Sequence, residues 1–262
     1  TIPQSSMTAL VGPSGSGKFT LAKLIAGFWD VKSGSITMGG HNLKDIPLSQ
    51  LYDQVAFVSQ DNYLFDDTVR ENIRMGRINA TDDEVEATAH AAGCDSFIDG
   101  LEHGYDTMVG GGGASLSGGE KQRISIARAI LKDAPVIILD EATANVDPEN
   151  EDRLQKAIEA LTRDKTILMI AHRLRTVRSA DQILVLSDGR IVQQGRHEEL
   201  IGQPGIYADF VGGKKRPTAG SCNREEGRHD ICRPSLLCIK AGTSAPFHGL
   251  TIRRAGITIE PF

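Results

Sequence analysis

The 262-residue sequence is poor in several features that would settle its class at once. Aromatic residues make up 5% of it, with a single tryptophan, and one of its four cysteines, Cys94, lies before residue 213. This cysteine usage argues against a disulfide framework and favours a reducing compartment. The sequence has no run of about 18 apolar residues and no recognisable signal peptide, so we expect no membrane-spanning helix.

Positive charge is also scarce in most of the chain. Residues 1–212 carry 20 Lys/Arg against 30 Asp/Glu, whereas residues 213–262 carry nine against four. The acidic main body argues against general binding of nucleic acid. Residues 213–262 hold four of the ten prolines and show little periodicity, so we predict a disordered or loosely packed tail, with one potential short strand within Leu250–Ile259.

Before that tail, apolar runs alternate with helical periods and predict a layered α/β fold with a mostly parallel sheet. The predicted strands are Met7–Val11, Ser35–Met38, Val55–Ser59, Val136–Leu139 and Thr166–Ala171. Predicted helices cover Lys18–Phe28, residues 82–92, residues 118–132 and residues 147–161, three of them with a Thr, Ser or Asp cap at the start. Asp188-Gly189, between Ile183–Leu186 and Arg190–Val192, predicts a type I′ hairpin and thus an antiparallel portion.

The clearest chemical motif follows the first predicted strand. It consists of Gly12, Pro13, Ser14, Gly15, Ser16, Gly17, Lys18, Phe19 and Thr20. Glycines in such a loop let backbone N–H groups converge on phosphate oxygens at the start of a helix, and the lysine would reach the β- and γ-phosphates. The alternative is a glycine-rich strand-to-helix turn without a ligand.

Two acids at the end of the predicted strand Val136–Leu139 add to this motif. Asp140 would lie at the carboxyl end of a parallel strand, where ligand sites of α/β folds form. There it would hold Mg²⁺, usually through water. Glu141 would polarise an attacking water as a general base. The alternative is that both acids simply end the strand.

The string Leu116-Ser117-Gly118-Gly119-Glu120, followed by Q-R-x-x-x-A-R-A at residues 122–129, lies between the loop and the acids. With it the chain resembles the nucleotide-binding domain of an ABC transporter. Gln60 fits the Q-loop, Asp147 the D-loop and His172 the switch histidine. The resemblance covers about residues 4–212 and implies a P-loop NTPase domain at 1–212, missing its first strands, with a helical subdomain at about 61–132 that carries LSGGE.

The resemblance also implies a mechanism based on two such domains bound head to tail around two ATP molecules. Lys18 of one copy would hold the γ-phosphate, and Gln60 would join Asp140 in sensing or holding Mg²⁺. His172 would contact the γ-phosphate and steady the water that Glu141 activates. The remaining residues implied at the nucleotide are Asp147 and, from the opposite copy, Ser117, Gly118, Gly119 and Glu120.

A narrower likeness concerns the segment Leu64–Ile73 and the pair Val109-Gly110, which resemble exporter-type domains. In that subfamily the ATPase domain is fused to a transmembrane half. The resemblance therefore implies an ATPase that powers export, with transmembrane domains as partners and a place on the cytoplasmic face of the membrane. The alternative is that Leu64–Ile73 is an amphipathic surface segment.

Three departures from the family pattern leave other functions open. Phe19 stands where a Ser or Thr ligates Mg²⁺. Thr20 is turned about 100° away on a helix, and the resemblance implies that it contacts the α-phosphate instead. Gly111 replaces a glutamate that helps to couple exporter domains to their membrane half. The missing first strands would leave an unpaired sheet edge. The alternatives are a regulatory module with weak or no hydrolysis, and a nonfunctional fragment.

Overall fold

The computed structural model describes residues 1–140, 156–162, 164–171, 177–212 and 257–260. In chain order its strands are β1 (Met7–Val11), β2 (Ser35–Met38), β3 (His41–Asn42), β4 (Val55–Val58), β5 (Asp67–Thr68), β6 (Met108–Val109), β7 (Val136–Asp140), β8 (Thr166–Ile170), β9 (Gln182–Ser187), β10 (Arg190–Gly195) and β11 (Ile257–Glu260). Its helices are α1 (Lys18–Ile25), α2 (Leu48–Gln54), α3 (Val69–Arg74), α4 (Asp82–Ala91), α5 (Asp95–Ile98), α6 (Gly118–Lys132), α7 (His197–Ile201) and α8 (Ile206–Val211), and residues 156–162 are also helical.

A six-stranded sheet in the order β10-β9-β1-β8-β7-β4 forms the centre of the molecule. Its strands β4, β7, β8, β1 and β9 run parallel, and β10 is antiparallel to β9. The predicted α/β class, with a mostly parallel sheet and an antiparallel portion, is therefore confirmed. Parallel strands end at a common edge, so the carboxyl ends of β1, β8 and β7 lie side by side.

Apolar side chains cover both faces of this sheet. On β7 and β8 every residue is buried, as expected for strands with layers on both sides. Ile137 and Ile167 point into one apolar cluster, whereas Leu10, Ile138 and Leu168 point into another on the opposite face. The strict alternation of side chains along a strand produces these two clusters.

Helix α1 ends three residues earlier than predicted, so the predicted end at Phe28 was wrong. Gly27 adopts a φ of 74°, and the N–H groups of Gly27 and Phe28 donate to the carbonyls of Leu24 and Lys23. This pair of bonds is the Schellman arrangement that closes a helix at a left-handed glycine. Phe28 therefore lies beyond the end of the helix, where its ring contacts Phe57 at 5.4 Å between centroids.

The β9–β10 hairpin agrees with the prediction. Asp188 and Gly189 have φ values of 48° and 74°, as a type I′ turn requires. Strand β10 continues past the predicted end at Val192 to Gly195, after a register shift between Ile191 and Gln193.

The helical subdomain is organised around α6. Ser117 and Thr81 cap α6 and α4 through reciprocal bonds with Glu120 and Glu84, which confirms both predicted caps. From α6, the half-buried Arg128 donates to the carbonyl oxygens of Tyr63 at 2.7 Å and Asn72 at 2.6 Å. Burial lowers the pKa of Arg128 to about 10. Arg128 therefore links the LSGGE helix to the segment that follows Gln60.

A second sheet has the order β11-β2-β3. Strand β11 confirms that part of the tail pattern within Leu250–Ile259 forms a strand, and it pairs antiparallel with β2. Strand β2 thus has a neighbour on each side, β11 and β3. The prediction of a loosely packed tail concerns mainly residues 213–256, which lie outside the described residues.

The four consecutive glycines at Gly110–Gly113 follow β6, and the first two lie against Asp66, directly before β5. The N–H of Gly111 donates to the Asp66 carboxylate, and the N–H of Ala114 donates to the carbonyl oxygen of Met108 at 2.8 Å. A Cβ on Gly113 would come within 2.3 Å of that same carbonyl oxygen, whereas one on Gly112 would meet no atom within 4 Å. Close backbone packing therefore requires a glycine at position 113.

We predict that Gly113→Ala destabilises the fold and that Gly112→Ala, one residue away, does not. The added methyl at position 113 collides with backbone, and overpacking of this kind costs about 1–3 kcal/mol in the free energy of unfolding. Urea denaturation of both variants measures the difference. Equal stability of the two variants would show that the backbone here is not fixed as described.

Candidate functional site

The loop between β1 and α1 lies beside the carboxyl ends of β7 and β8, at the edge of the central sheet. A cleft of about 440 Å³ opens there. The residues that line it are Ser14, Gly15, Ser16, Gly17, Lys18, Phe19, Thr20, Ser59, Gln60, Asp61, Asp140 and Ile170. Residues that the sequence placed in separate motifs therefore share one cavity.

Glycines give the loop its shape. Gly12 has a φ of 156°, and a Cβ there would lie 2.2 Å from the carbonyl oxygen of Leu186 on β9. Gly15 and Gly17, with φ values of 79° and 96°, adopt left-handed backbone that favours glycine. The loop thus bends sharply while its backbone lies against β9, and Pro13 and Ser14 lie on its exposed side.

The β9–β10 turn supports the loop from outside. The N–H of Gly189 donates to the carbonyl oxygen of Ser16 at 3.0 Å, and a Cβ on Gly17 would lie 3.4 Å from the Cα of Gly189. Sequence reasoning identified this turn as a hairpin but missed its role at the site. The long separation along the chain left no local signal for this contact.

Lys18 is buried at the first position of α1. Its ammonium donates to the carbonyl oxygens of Gly12 at 2.8 Å and Pro13 at 2.9 Å, and to the hydroxyl of Ser16 at 3.4 Å. Its positive charge therefore lies inside the curve of the loop, next to the backbone N–H groups at the start of the helix. This arrangement attracts an anion.

Asp140 ends β7 and lines the cleft although it is only 8% exposed. Gln60, which follows β4, is exposed and lines the same cleft. Strands β4 and β7 are neighbours in parallel register, so both residues emerge at the same edge of the sheet. A carboxylate and an amide oxygen are ligands that suit Mg²⁺.

Phe19 projects a ring, 40% exposed, beside this cleft. The ring packs edge to face against Phe57 at 6.4 Å between centroids, and the Lys23 ammonium lies 4.2 Å from its centroid. An aromatic pair and a cation–π contact each stabilise an orientation by about 0.5–1.5 kcal/mol. Phe19 is thus held towards β4, and it supplies no oxygen for a metal.

Thr20 is exposed and lines the cleft next to Phe19. Its contact with an α-phosphate, which the family resemblance implied, remains a prediction. In the donor set of the cleft, Asp140 and Gln60 fit Mg²⁺, whereas the hydroxyl ligand at position 19 is missing. The described residues contain no group of three or more His, Cys, Asp or Glu side chains arranged for a metal ion.

The predicted LSGGE residues do not line this cleft. Glu120 accepts a hydrogen bond from the N–H of Ser117 at 2.7 Å, and Ser117 accepts one from the N–H of Glu120. In the described chain, Glu120 therefore forms part of the N-terminal cap of α6. Around Gly118 and Gly119 an added Cβ would meet no atom within 4 Å, so the start of α6 presents open surface.

Three predicted site residues, Glu141, Asp147 and His172, lie outside the described residues. Their predicted parts as general base, D-loop contact and γ-phosphate contact therefore remain predictions. The strands that precede two of them are described: β7 ends at Asp140 and β8 ends at Ile170. Asp140 and Ile170 both line the cleft.

Comparison with known proteins points to one family. The sequence profile of the ABC transporter family matches residues 1–144. The chain is 50% identical over 210 residues to the ATP-dependent lipid A-core flippase of Pectobacterium atrosepticum, covering 80% of this chain and 36% of the relative. It is 48% identical over 206 residues to the flippase of the same name from Desulfotalea psychrophila, covering 79% and 36%. The chain thus spans about a third of the length of these relatives.

A solved structure gives the same result for the fold. The structure of a bacterial Atm1-family ABC exporter with ATP bound matches with a TM-score of 0.77 and 40% sequence identity. The match covers 84% of this chain and 38% of the exporter chain. No helix in the described part of the present chain has the length and hydropathy needed to cross a bilayer.

Proposed function

Because the chain belongs to the ABC transporter family, we propose that it binds and hydrolyses ATP as the nucleotide-binding domain of an exporter. The observation that carries this proposal is the shared cleft: Lys18 in a glycine-rich loop and Asp140 at the end of a neighbouring strand line one cavity of about 440 Å³. A triphosphate needs a cationic cradle, and its metal needs an acid next to that cradle.

Binding begins at the loop. Phosphate oxygens accept hydrogen bonds from the backbone N–H groups of residues 15–18, at the positive end of α1. The Lys18 ammonium, which donates to the Gly12 and Pro13 carbonyls, transfers its hydrogen bonds to the β- and γ-phosphates. These bonds are charge-assisted, so nucleotide competes effectively with the neutral carbonyl acceptors.

Hydrolysis then requires a water in line with the γ-phosphate. Glu141, directly after Asp140, accepts a proton from this water as general base. His172, which follows β8 by two positions, contacts the γ-phosphate and steadies the water. The ends of β7 and β8 lie side by side at the cleft, which supports a common location for both residues.

The residues that line the cleft supply some, but not all, of the oxygen ligands that the family uses to hold Mg²⁺. Asp140 and Gln60 would hold Mg²⁺, which when bound neutralises charge that develops on the phosphates. Phe19 removes one ligand of the six that Mg²⁺ prefers, and its contacts with Phe57 and Lys23 hold the ring in place. We therefore expect nucleotide to bind, the metal to bind weakly and hydrolysis to be slow.

A second copy completes the site in this proposal. The start of α6, with Ser117, Gly118 and Gly119 on open surface, closes over the γ-phosphate of the opposite copy. Small residues allow the close approach, and the helix N-terminus favours an anion. Asp147 contacts the same interface. The resulting dimer is head to tail and encloses two nucleotides.

The membrane partner is proposed from the relatives. Two are named lipid A-core flippases and one solved relative is an ABC exporter, which supports transmembrane domains as partners and a place on the cytoplasmic face of the membrane. Gly111, next to the Asp66 carboxylate, stands where the exporter pattern has a glutamate. We therefore expect weaker coupling between ATP hydrolysis in this domain and the transmembrane half.

Phe19 also supports a second function, a regulatory module that binds nucleotide with little turnover. In this alternative ATP holds two domains together for a long time, because the metal that assists cleavage is poorly held. The two functions share the nucleotide site and differ in phosphate release.

We predict that Lys18→Ala lowers ATP affinity by roughly tenfold to a hundredfold. The variant loses the ammonium's charge-assisted hydrogen bonds to the phosphates. After the bonds to the Gly12 and Pro13 carbonyls in the free chain are subtracted, we expect a net loss of about 1.5–3 kcal/mol. Isothermal titration of both variant and parent measures the loss. Lys44→Ala removes an exposed lysine that does not line the cleft, and it serves as the charge control. Equal affinities in the two variants would remove the basis of the proposal.

Phe19→Ser and Phe19→Ala distinguish two reasons for weak Mg²⁺ binding: the lack of a hydroxyl ligand at position 19, and obstruction of the metal site by the Phe19 ring. In the parent chain we predict that Mg²⁺ changes ATP affinity less than about twofold. Phe19→Ser restores a hydroxyl ligand, so Mg²⁺ should tighten ATP binding by about tenfold, or 1.4 kcal/mol. Phe19→Ala should leave the parent's behaviour unchanged. Titrations with Mg²⁺ and with EDTA measure this, and phosphate release follows turnover. A parent chain that hydrolyses ATP at the rate of Phe19→Ser would contradict the expectation.

Gly118→Arg tests the head-to-tail dimer. Gly118 is exposed and a Cβ there would meet no atom within 4 Å in the single chain, but the bulk of an arginine obstructs the close approach of a second nucleotide site. We predict that ATP shifts the parent towards a dimer in analytical ultracentrifugation and that Gly118→Arg stays monomeric. Gly202→Arg, at an equally open position after α7, should dimerise like the parent. Dimerisation of Gly118→Arg would place the interface elsewhere.

A further inference from the structure

Strand β11 is separated from its partners by most of the chain, yet it lies between two of them. On one side, residues Ile257–Glu260 pair with β2 in an antiparallel register that places Ile257 opposite Met38 and Thr258 opposite Thr37. On the other side, Ile257 forms a bridge with Ile2. The strand therefore fills a slot that would otherwise separate Ile2 from β2.

Backbone hydrogen bonds hold both sides of this strand. The N–H of Ile2 donates to the carbonyl oxygen of Ile257 at 2.6 Å, and the N–H of Ile257 donates to the carbonyl oxygen of Ile2 at 3.0 Å. Hydrogen-bonded and non-bonded pairs alternate in antiparallel ladders. Since Ile257 bonds to Ile2, the adjacent residue Thr258 bonds to Thr37 on the opposite side. The backbone N–H and C=O groups of β11 therefore form hydrogen bonds on both sides of the strand, to Ile2 and to β2.

Side-chain burial identifies Ile257 as an anchor of the strand. Ile257 is 0% exposed and Ile2 is 1% exposed, and both belong to the apolar cluster that contains Ile36, Met38 and Leu10. Thr258, the next residue, is half-buried and points to the other face. The Ile257 side chain therefore enters the apolar cluster that also contains Leu10 of β1, the strand that leads into the phosphate loop.

We propose that the slot between Ile2 and β2 is a binding site for an extended peptide strand, and that Ile257–Glu260 is its ligand, bound within the same chain. Recognition combines main-chain hydrogen bonds with one apolar pocket, which is the pattern by which sheet edges bind peptides. The strand stabilises the small sheet and seals the apolar cluster beneath it. Thr37 and Thr258 are 221 positions apart, so local sequence does not impose this contact.

The first experiment compares two full-length variants, Ile257→Lys and Thr258→Lys. Each places a lysine in β11, but only position 257 faces the apolar cluster. We predict that Ile257→Lys lowers the melting temperature by roughly 5–10 °C, because an isoleucine is withdrawn from the core. Thr258→Lys should change it by less than about 2 °C. Equal melting temperatures for both variants would overturn the proposal.

The second experiment supplies the strand in trans. A synthetic peptide of residues 254–262 should bind full-length Ile257→Lys and raise its melting temperature towards that of the parent. The same peptide with lysine at position 257 should not bind. Parent protein should bind neither peptide, because its slot is filled. Failure of the unmodified peptide to bind or stabilise the variant would overturn the proposal.

Amide hydrogen exchange in the unaltered protein gives a test that needs no variant. The Ile257 amide, which donates to Ile2, should exchange as slowly as the amide of Thr37 in β2. Exchange of the Ile257 amide at the rate of an unstructured peptide would overturn the proposal, even if Ile257→Lys failed to fold.

Discussion

The close approach of the phosphate loop to strand β9 is the constraint on which the site depends. At Gly12 the loop backbone lies so near Leu186 that a Cβ would meet its carbonyl oxygen at 2.2 Å, and Gly189 bonds to Ser16 from the adjoining turn. These contacts fix the loop from one side, while Lys18 fills its curve from the other. Preorganisation of this kind reduces the conformational entropy lost when an anion binds.

The site combines a glycine-shaped phosphate loop with a phenylalanine where the P-loop pattern has a hydroxyl residue. Asp140 and Gln60 line the cleft, and their oxygens suit a metal. Phe19 keeps the helical position of the family's hydroxyl residue but contributes a ring that contacts Phe57 and Lys23. Because the Phe19 ring packs against Phe57 and Lys23, the loop can fold without the hydroxyl group of a Ser or Thr at position 19. Folding and metal binding are thus separable at this position.

Much of the architecture could be predicted from the sequence, because local patterns determine it. The apolar runs of β1, β2, β7 and β8, the caps at Thr81 and Ser117, and the Asp188-Gly189 turn all act over a few residues. The predicted end of α1 was three residues beyond the observed end at Ile25, because Phe28 continued the apolar periodicity past Gly27, which closes the helix. Contacts between distant segments had no local signal. Gly189 against Ser16, Arg128 against Tyr63, and β11 beside β2 depend on the folded chain. In the site, three residues from separate motifs, Lys18, Gln60 and Asp140, line one cleft. Glu120 has a capping contact with Ser117 that motif matching does not reveal.

A structure of the chain with a non-hydrolysable ATP analogue would test the central claim most directly, through the position of the Lys18 Nζ atom. The account predicts that this atom leaves the Gly12 and Pro13 carbonyls and lies within hydrogen-bonding distance of the β- and γ-phosphates, with Asp140 across the same cleft. A nucleotide bound elsewhere, with the Lys18 Nζ atom still on the loop carbonyls, would contradict it.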